Sequence, residues 1–232
     1  MIDLSPDENQ FQIVSNFQEL ISTSFKGNIN AICWNRKLAG DFSEIIDKIE
    51  IEDNITEINE DELLALELST HGQLAREIIL TDLRLLKEQG ASPVLNVIEY
   101  YERDDSFPFF PTDVYSFHVD HAPIPTSTFL CTYYGASSDI LPNSQGIQKI
   151  LIPEIRAELK KIHAGDEKDF ENFLTENFFD IHYQAIEKAE PINLGIGHIW
   201  RLAVDHPESP VPPCLHRAPK ENNGEKRLLL IC

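Results

Sequence analysis

The sequence predicts an α+β fold of one domain: a helical supporting part over residues 1–92, then a barrel of short antiparallel strands over residues 93–232, interrupted by a helical insertion near residues 150–190. Three observations predict it. Apolar residues recur at helical spacing before residue 90, the period becomes that of strands from residue 93, and proline-rich connections separate the strand candidates. The chain has 232 residues of which 42% are hydrophobic, enough to bury one substantial core.

Residues 11–21 and 42–49 read as amphipathic helices around a short strand at 29–34. The acidic run 50–62 reads as a solvated loop or helix edge. From 71 to 89, Ala75, Ile78, Ile79, Leu83 and Leu86 lie at helical spacing, with Lys87 near the end and Gly90 as the stop. Strand candidates follow at 94–101, 114–119, 127–134, 196–204 and 227–231, rich in β-branched, aromatic or leucine residues. Prolines at 107–111, 122–125 and 210–213 mark the corners between them. In the insertion, Pro153 opens a helix carrying Ile155, Leu159 and Ile162. A second helix carries Phe170, Phe173, Leu174, Phe178 and Ile181. The pair either covers the barrel mouth or thickens one wall.

Nineteen basic residues stand against 39 acidic ones, a net charge of −20. That balance argues against binding a nucleic-acid backbone or an anionic membrane through bulk charge. The opening residues 1–8 show no basic region leading into an apolar stretch, and no segment is long and apolar enough to span a bilayer, so a cytoplasmic protein is expected. Cys33, Cys131, Cys214 and Cys232 are scattered without a Cys-x-x-Cys pair, which predicts reduced, mostly buried thiols.

The chemistry concentrates in Phe117-His118-Val119-Asp120 and, much later, Leu215-His216-Arg217-Ala218-Pro219. Strand residues two apart share a face, so His118 and Asp120 can hold one ion together while His216 completes the set. Two histidines and one carboxylate on one face of an octahedral ion leave the other face open, which suits non-haem Fe(II) oxygen chemistry better than a closed zinc site. Arg227 lies where an acidic cosubstrate needs a counter-ion. Lys226 should face the other side of the same strand. His71, His182 and His206 have no partner at metal-binding spacing.

With Tyr100 and Tyr101 on the strand before, Cys131-Thr132-Tyr133-x-Gly135 after, and Arg227-Leu228-Leu229-Leu230 closing the chain, residues 93–232 resemble the Fe(II)/2-oxoglutarate-dependent dioxygenase superfamily. They resemble more closely a bacterial family known only as a domain of unknown function. The resemblance implies a double-stranded β-helix (jelly-roll, cupin-like) barrel. It also implies that His118, Asp120 and His216 ligate Fe(II), and that Arg227 pairs with the distal carboxylate of 2-oxoglutarate, with Tyr133 near the cosubstrate. Arg217, His121 and Tyr101 are then candidates to touch substrate, a small molecule or a protein, or to support the ligands from behind. Arg217 can instead pair with Asp139.

Two positions depart from the pattern. Gly197-His198 stands where the superfamily often has Gly-Asp, and the stretch 121–128 lacks the arginine that the bacterial family usually carries there. Two other classes of function fit the same residues. One is a non-catalytic barrel holding a metal, with Zn²⁺ able to outcompete Fe²⁺, or a small acid, as sensor, store or carrier. The other is an interaction scaffold in which the first 90 residues bind a partner.

Overall fold

Residues 11–14 do not open a helix. They form β1 (Phe11–Val14), which runs parallel to β2 (Ala31–Trp34) with Phe11 opposite Ala31. The computed structural model describes residues 10–163, 165–220 and 224–232, so the 1–8 stretch read for a leader lies outside them. The first helix, α1 (Phe17–Ser22), starts only after Asn16, whose side chain accepts from the Glu19 backbone N–H. Such a cap is worth about 1 kcal/mol and fixes where the strand must stop.

The acidic run also hides a strand. β3 (Ile55–Ile58) alternates, with Thr56 and Ile58 buried and Ile55 and Glu57 exposed. At its end Asn59 accepts from the Glu62 backbone while the Glu62 carboxylate accepts from the Asn59 N–H, a capping box that opens α3 (Glu60–Ala65). The remaining amino-terminal helices are α2 (Phe42–Lys48) and α4 (Thr70–Glu88), close to their expected places.

Three strands before residue 92 thus join β4 (Val94–Ile98), β6 (Ser127–Tyr134), β11 (Ile199–Ala203) and β13 (Arg227–Ile231) in one sheet, in the order β1-β2-β11-β6-β13-β4-β3. The first 92 residues therefore build sheet as well as support it. A second sheet holds β5 (Phe117–His118), β7 (Asp139–Leu141), β8 (Gly146–Gln148), β9 (His182–Ala185), β10 (Ile192–Asn193) and β12 (Leu215–Arg217), in the order β10-β7-β12-β5-β9-β8. Strands β7 to β10 were not expected from the sequence. The 94–101 strand stops at Ile98, and the 114–119 strand shrinks to two residues between prolines and Asp120.

In the insertion, α5 (Pro153–Ile162) and α6 (Phe170–Glu176) form as expected, but the second helix ends before Phe178, whose φ of 58° is left-handed. The chain then returns to the smaller sheet as β9.

Alternation along the strands sorts the core into layers. On the outer face of the larger sheet, Ile32, Leu95, Val97, Ile199, Leu228 and Leu230 pack against Leu20, Ile45, Leu63, Ile79 and Leu86 of the four helices. On its inner face Cys33, Leu130, Trp200, Leu202 and Leu229 meet Ile140 and Ile192 of the smaller sheet. Each fully buried aliphatic side chain contributes about 1.5–3 kcal/mol. A third cluster, Phe110, Ile150, Leu159, Phe170, Leu174 and Phe179, binds the helical insertion to the edge of the smaller sheet. The result is an α+β architecture of two facing sheets with helices outside the larger one. All four cysteines are free, and three of them are buried. Among the described residues no helix is long and apolar enough to cross a membrane.

Candidate metal centre

His118 and His216 stand directly opposite one another on β5 and β12, with ring centroids 4.5 Å apart. Their sheet neighbours fix the face they use. Phe117, Val119, Leu141 and Leu215 pack together on the outer side of the smaller sheet. The residues between them, His118 and His216, therefore point inward, as does Ile140 beside His216. Asp120, two residues beyond His118, turns the same way, and its Oδ2 lies 3.6 Å from His216 Nε2.

One ligand atom from each of His118, Asp120 and His216 falls within 4.8 Å of the other two. Atoms that share an ion through bonds of about 2 Å lie up to roughly 4 Å apart, so the cluster needs only a small contraction. Both imidazoles are oriented for it. His118 Nδ1 lies 2.8 Å from the Ser116 carbonyl oxygen and His216 Nδ1 3.2 Å from that of Cys214. A ring that donates from Nδ1 to a carbonyl keeps Nε2 as a lone pair. Burial, reinforced by His216, pushes the His118 pKa down to about 4, so its ring is neutral at ordinary pH, as a ligand must be. Asp120 accepts a hydrogen bond from Thr128 Oγ1, and its half-exposed side chain opens the cluster to solvent.

His182 was missed in the sequence. It faces His118 across β9, so His216, His118 and His182 form a row over three neighbouring strands. The ring of His182 is 5.9 Å from that of His118, is 3% exposed, and its buried Nδ1 has no hydrogen-bond partner. Burial, then His118 and Lys149, push its pKa down to about 3, against the opposing influence of Asp104. Lys149 is also buried. Its Nζ donates to the Pro111 carbonyl at 2.9 Å and to Ser116 Oγ at 3.3 Å, and burial pushes its pKa down to about 8. Lateral register, not spacing along the chain, brings these groups to the ligands.

Arg227 points into the same space from the other sheet, since its β13 neighbours Leu228 and Leu230 pack on the helices and Leu229 packs inward. It is 5% exposed. Its guanidinium donates to Thr132 Oγ1 and Ser138 Oγ at 2.9 Å, and to the Tyr101 hydroxyl at 3.4 Å, while Nε has no partner. No described carboxylate pairs with it, and burial lowers its pKa. Ser138 precedes Ile140, the partner of His216, by two residues, or about 7 Å of strand. The uncompensated cation therefore reaches across to the segment that leads into β7, two residues before the strand partner of His216.

The other expected residues divide. Tyr101 lies beside Arg227 and packs edge-on against Tyr115. Arg217 pairs with Asp139 at 2.9 Å, directly across the strands, and covers Phe117 on the outer side. Lys226 turns away to Glu99, at 3.7 Å. His121 is exposed and bonds Asp205 at 3.2 Å. Tyr133 does not sit near Arg227. It follows Thr132 and so faces the helices, where its hydroxyl donates to Asp82 at 2.7 Å and its ring stacks on Phe42. Asp82 also binds Arg36 through both carboxylate oxygens, which makes Tyr133 part of a buried structural network.

Comparison of the chain with protein-family models, with curated proteins and with solved structures gave no match.

Proposed function

We propose that the protein is a non-haem Fe(II) oxygenase that uses 2-oxoglutarate, built on a double-stranded β-helix formed by the two facing sheets. The observation that carries this reading is Arg227. A metal site alone has no need of a buried guanidinium without a counter-ion, and such a charge is costly unless a ligand neutralises it. A diacid held at the metal by one end and at Arg227 by the other meets that need with parallel hydrogen bonds.

In this reading His118, Asp120 and His216 hold Fe(II), and the bound iron with 2-oxoglutarate supplies the oxidising chemistry. The chain's own residues do the positioning. Ser116 and Cys214 carbonyls set the imidazole tautomers, and Thr128 orients the carboxylate. Thr132, Ser138 and Tyr101 aim the guanidinium. The apolar floor of Leu130, Trp200 and Leu229 excludes water between the two ends. The substrate, a small molecule or a protein, approaches on the solvent-exposed side of Asp120.

A second reading, a metal-holding barrel without turnover, rests on the same three ligands, since Zn²⁺ stands above Fe²⁺ in the affinity order for such a site. Anaerobic titration of the metal-free protein with Fe(II) and then 2-oxoglutarate separates the two. The oxygenase gives a visible charge-transfer band that disappears in His216→Ala and weakens in Arg227→Ala. Tight metal binding without a band points to the metal-holding barrel.

A further inference from the structure

Arg201 presents, on the opposite face of the larger sheet, the same uncompensated charge as Arg227. Its neighbours Trp200 and Leu202 point inward, so Arg201 faces outward, beside its cross-strand partner Phe129. It is 9% exposed. The two terminal nitrogens donate to the Ile21 and Thr23 carbonyls at the end of α1, and the guanidinium carbon lies 4.5 Å from the centroid of the Phe25 ring. Nε has no partner. Neutral carbonyls satisfy two of the five N–H donors of an arginine and leave its charge unneutralised. No described carboxylate pairs with Arg201, and burial lowers its pKa.

Arg201 lines a cleft of about 820 Å³ between α1, the end of α4, residues 125–127 and residues 206–210. That volume falls within the range of about 300–1,000 Å³ typical of small-molecule sites. One wall is apolar, formed by Ile21, Phe25, Phe129 and Val204, and Thr126 and Ser127 bring hydroxyls to the rim. Although the chain has 39 acidic residues, Glu208 is the only acidic side chain among the described residues that line the cleft. The cleft is therefore a partly apolar site in which one buried guanidinium faces one carboxylate at the rim, in an otherwise strongly acidic protein.

We propose that this cleft binds a small amphiphilic carboxylate, with its headgroup on Arg201 and its apolar body against Phe25 and Phe129. The site lies on the far side of the larger sheet from the metal cluster and is independent of the oxygenase reading. A planar carboxylate matches the remaining guanidinium donors. The apolar wall favours a ligand with a hydrocarbon body over a bare inorganic anion.

The test is calorimetric titration of the full chain with octanoate, with octanol and inorganic phosphate as controls. Octanoate should bind at least tenfold more tightly than either control, and Arg201→Met should weaken it at least tenfold. Should Arg201→Met fail to fold by circular dichroism, Ala91→Trp, which places a bulky ring at a residue lining the cleft, should weaken binding at least tenfold instead. His216→Ala and Arg227→Ala should leave octanoate affinity unchanged. Absence of octanoate binding, equal binding of octanol or phosphate, undiminished binding in Ala91→Trp, or loss in Arg227→Ala would each overturn the proposal.

Discussion

Thr128 and Thr132 stand four residues apart on β6 and face the same side, and each holds one end of the candidate site: Thr128 donates to Asp120, and Thr132 accepts from Arg227. Four residues of strand span about 13 Å, a gap that an aspartate, a long arginine and a five-carbon diacid can fill between them. The strand thus works as a ruler between the ligand carboxylate and the guanidinium. Thr128→Val should weaken metal affinity about tenfold or more, the usual cost of losing a group that orients a ligand, while sparing cosubstrate affinity at saturating metal. Thr132→Val should do the reverse. Chelator competition for the metal and calorimetry for 2-oxoglutarate distinguish the two, and equal effects of both variants on both affinities would remove the ruler.

Tyr133 and Asp82 form a contact that can be assigned by substitution. Asp82 is 1% exposed and binds both Arg36 and Tyr133. Asp82→Ala leaves Arg36 without its carboxylate in a largely buried place and should cost about 3–5 kcal/mol in urea unfolding. Tyr133→Phe removes one hydrogen bond to a charged group and should cost about 1.5–3 kcal/mol. Neither of the two should alter 2-oxoglutarate affinity beyond twofold. A Tyr133→Phe variant that folds normally but binds cosubstrate tenfold more weakly would return Tyr133 to the site.

Arg217 and Asp139 flank His216 on the outer side, paired at 2.9 Å with side chains about one-fifth exposed. Asp139→Asn should lower stability by about 1–3 kcal/mol, since a partly buried guanidinium loses its partner. Metal affinity should change little, because Arg217 points away from the imidazole. Thermal unfolding with and without added metal checks both halves.

How much of this was legible in the sequence follows from what each residue's position depends on. β13 and α4 were readable because their patterns are long and uniform, and the observed bounds differ from the expected ones by at most a residue. His118 and Asp120 were readable because a two-residue strand period needs no partner to define a face. His182 was not, since only the pairing of β9 with β5 brings it beside His118. β1 was mistaken for helix because Phe11 and Val14 also fit helical spacing, and only pairing with β2 decides the matter. β3 had a local signal in its alternation and in the Asn59–Glu62 capping box, obscured by the acidic residues around it. Tyr133 was not legible, because it lies where β6 bulges against β13, between the partners of Leu228 and Leu229, and only the contacts of Thr132 with Arg227 and of Tyr133 with Asp82 decide which face each takes.

His118 and His182 should make the metal-free protein sensitive to acid. Their folded pKa values are pushed down to about 4 and about 3, while an unfolded histidine titrates near about 6.5. Between those values the unfolded chain binds protons that the native rings refuse. Stability is therefore fully present above about pH 6.5 and is lost as the pH falls towards the folded values, by up to about 1.4 kcal/mol per pH unit for each ring. The positive charge of Lys149 contributes to both shifts, and Asp104 opposes that of His182. Urea midpoints measured from pH 7.5 down to 4.5 should fall steadily in the metal-free protein. His182→Phe keeps an aromatic ring beside Phe110 and should remove about one ring's share of the slope. Bound metal should steepen the dependence, because protons must displace it from His118 and His216 before the site can open. A metal-free protein whose midpoint stays level across this range would show that these imidazoles are hydrated in solution.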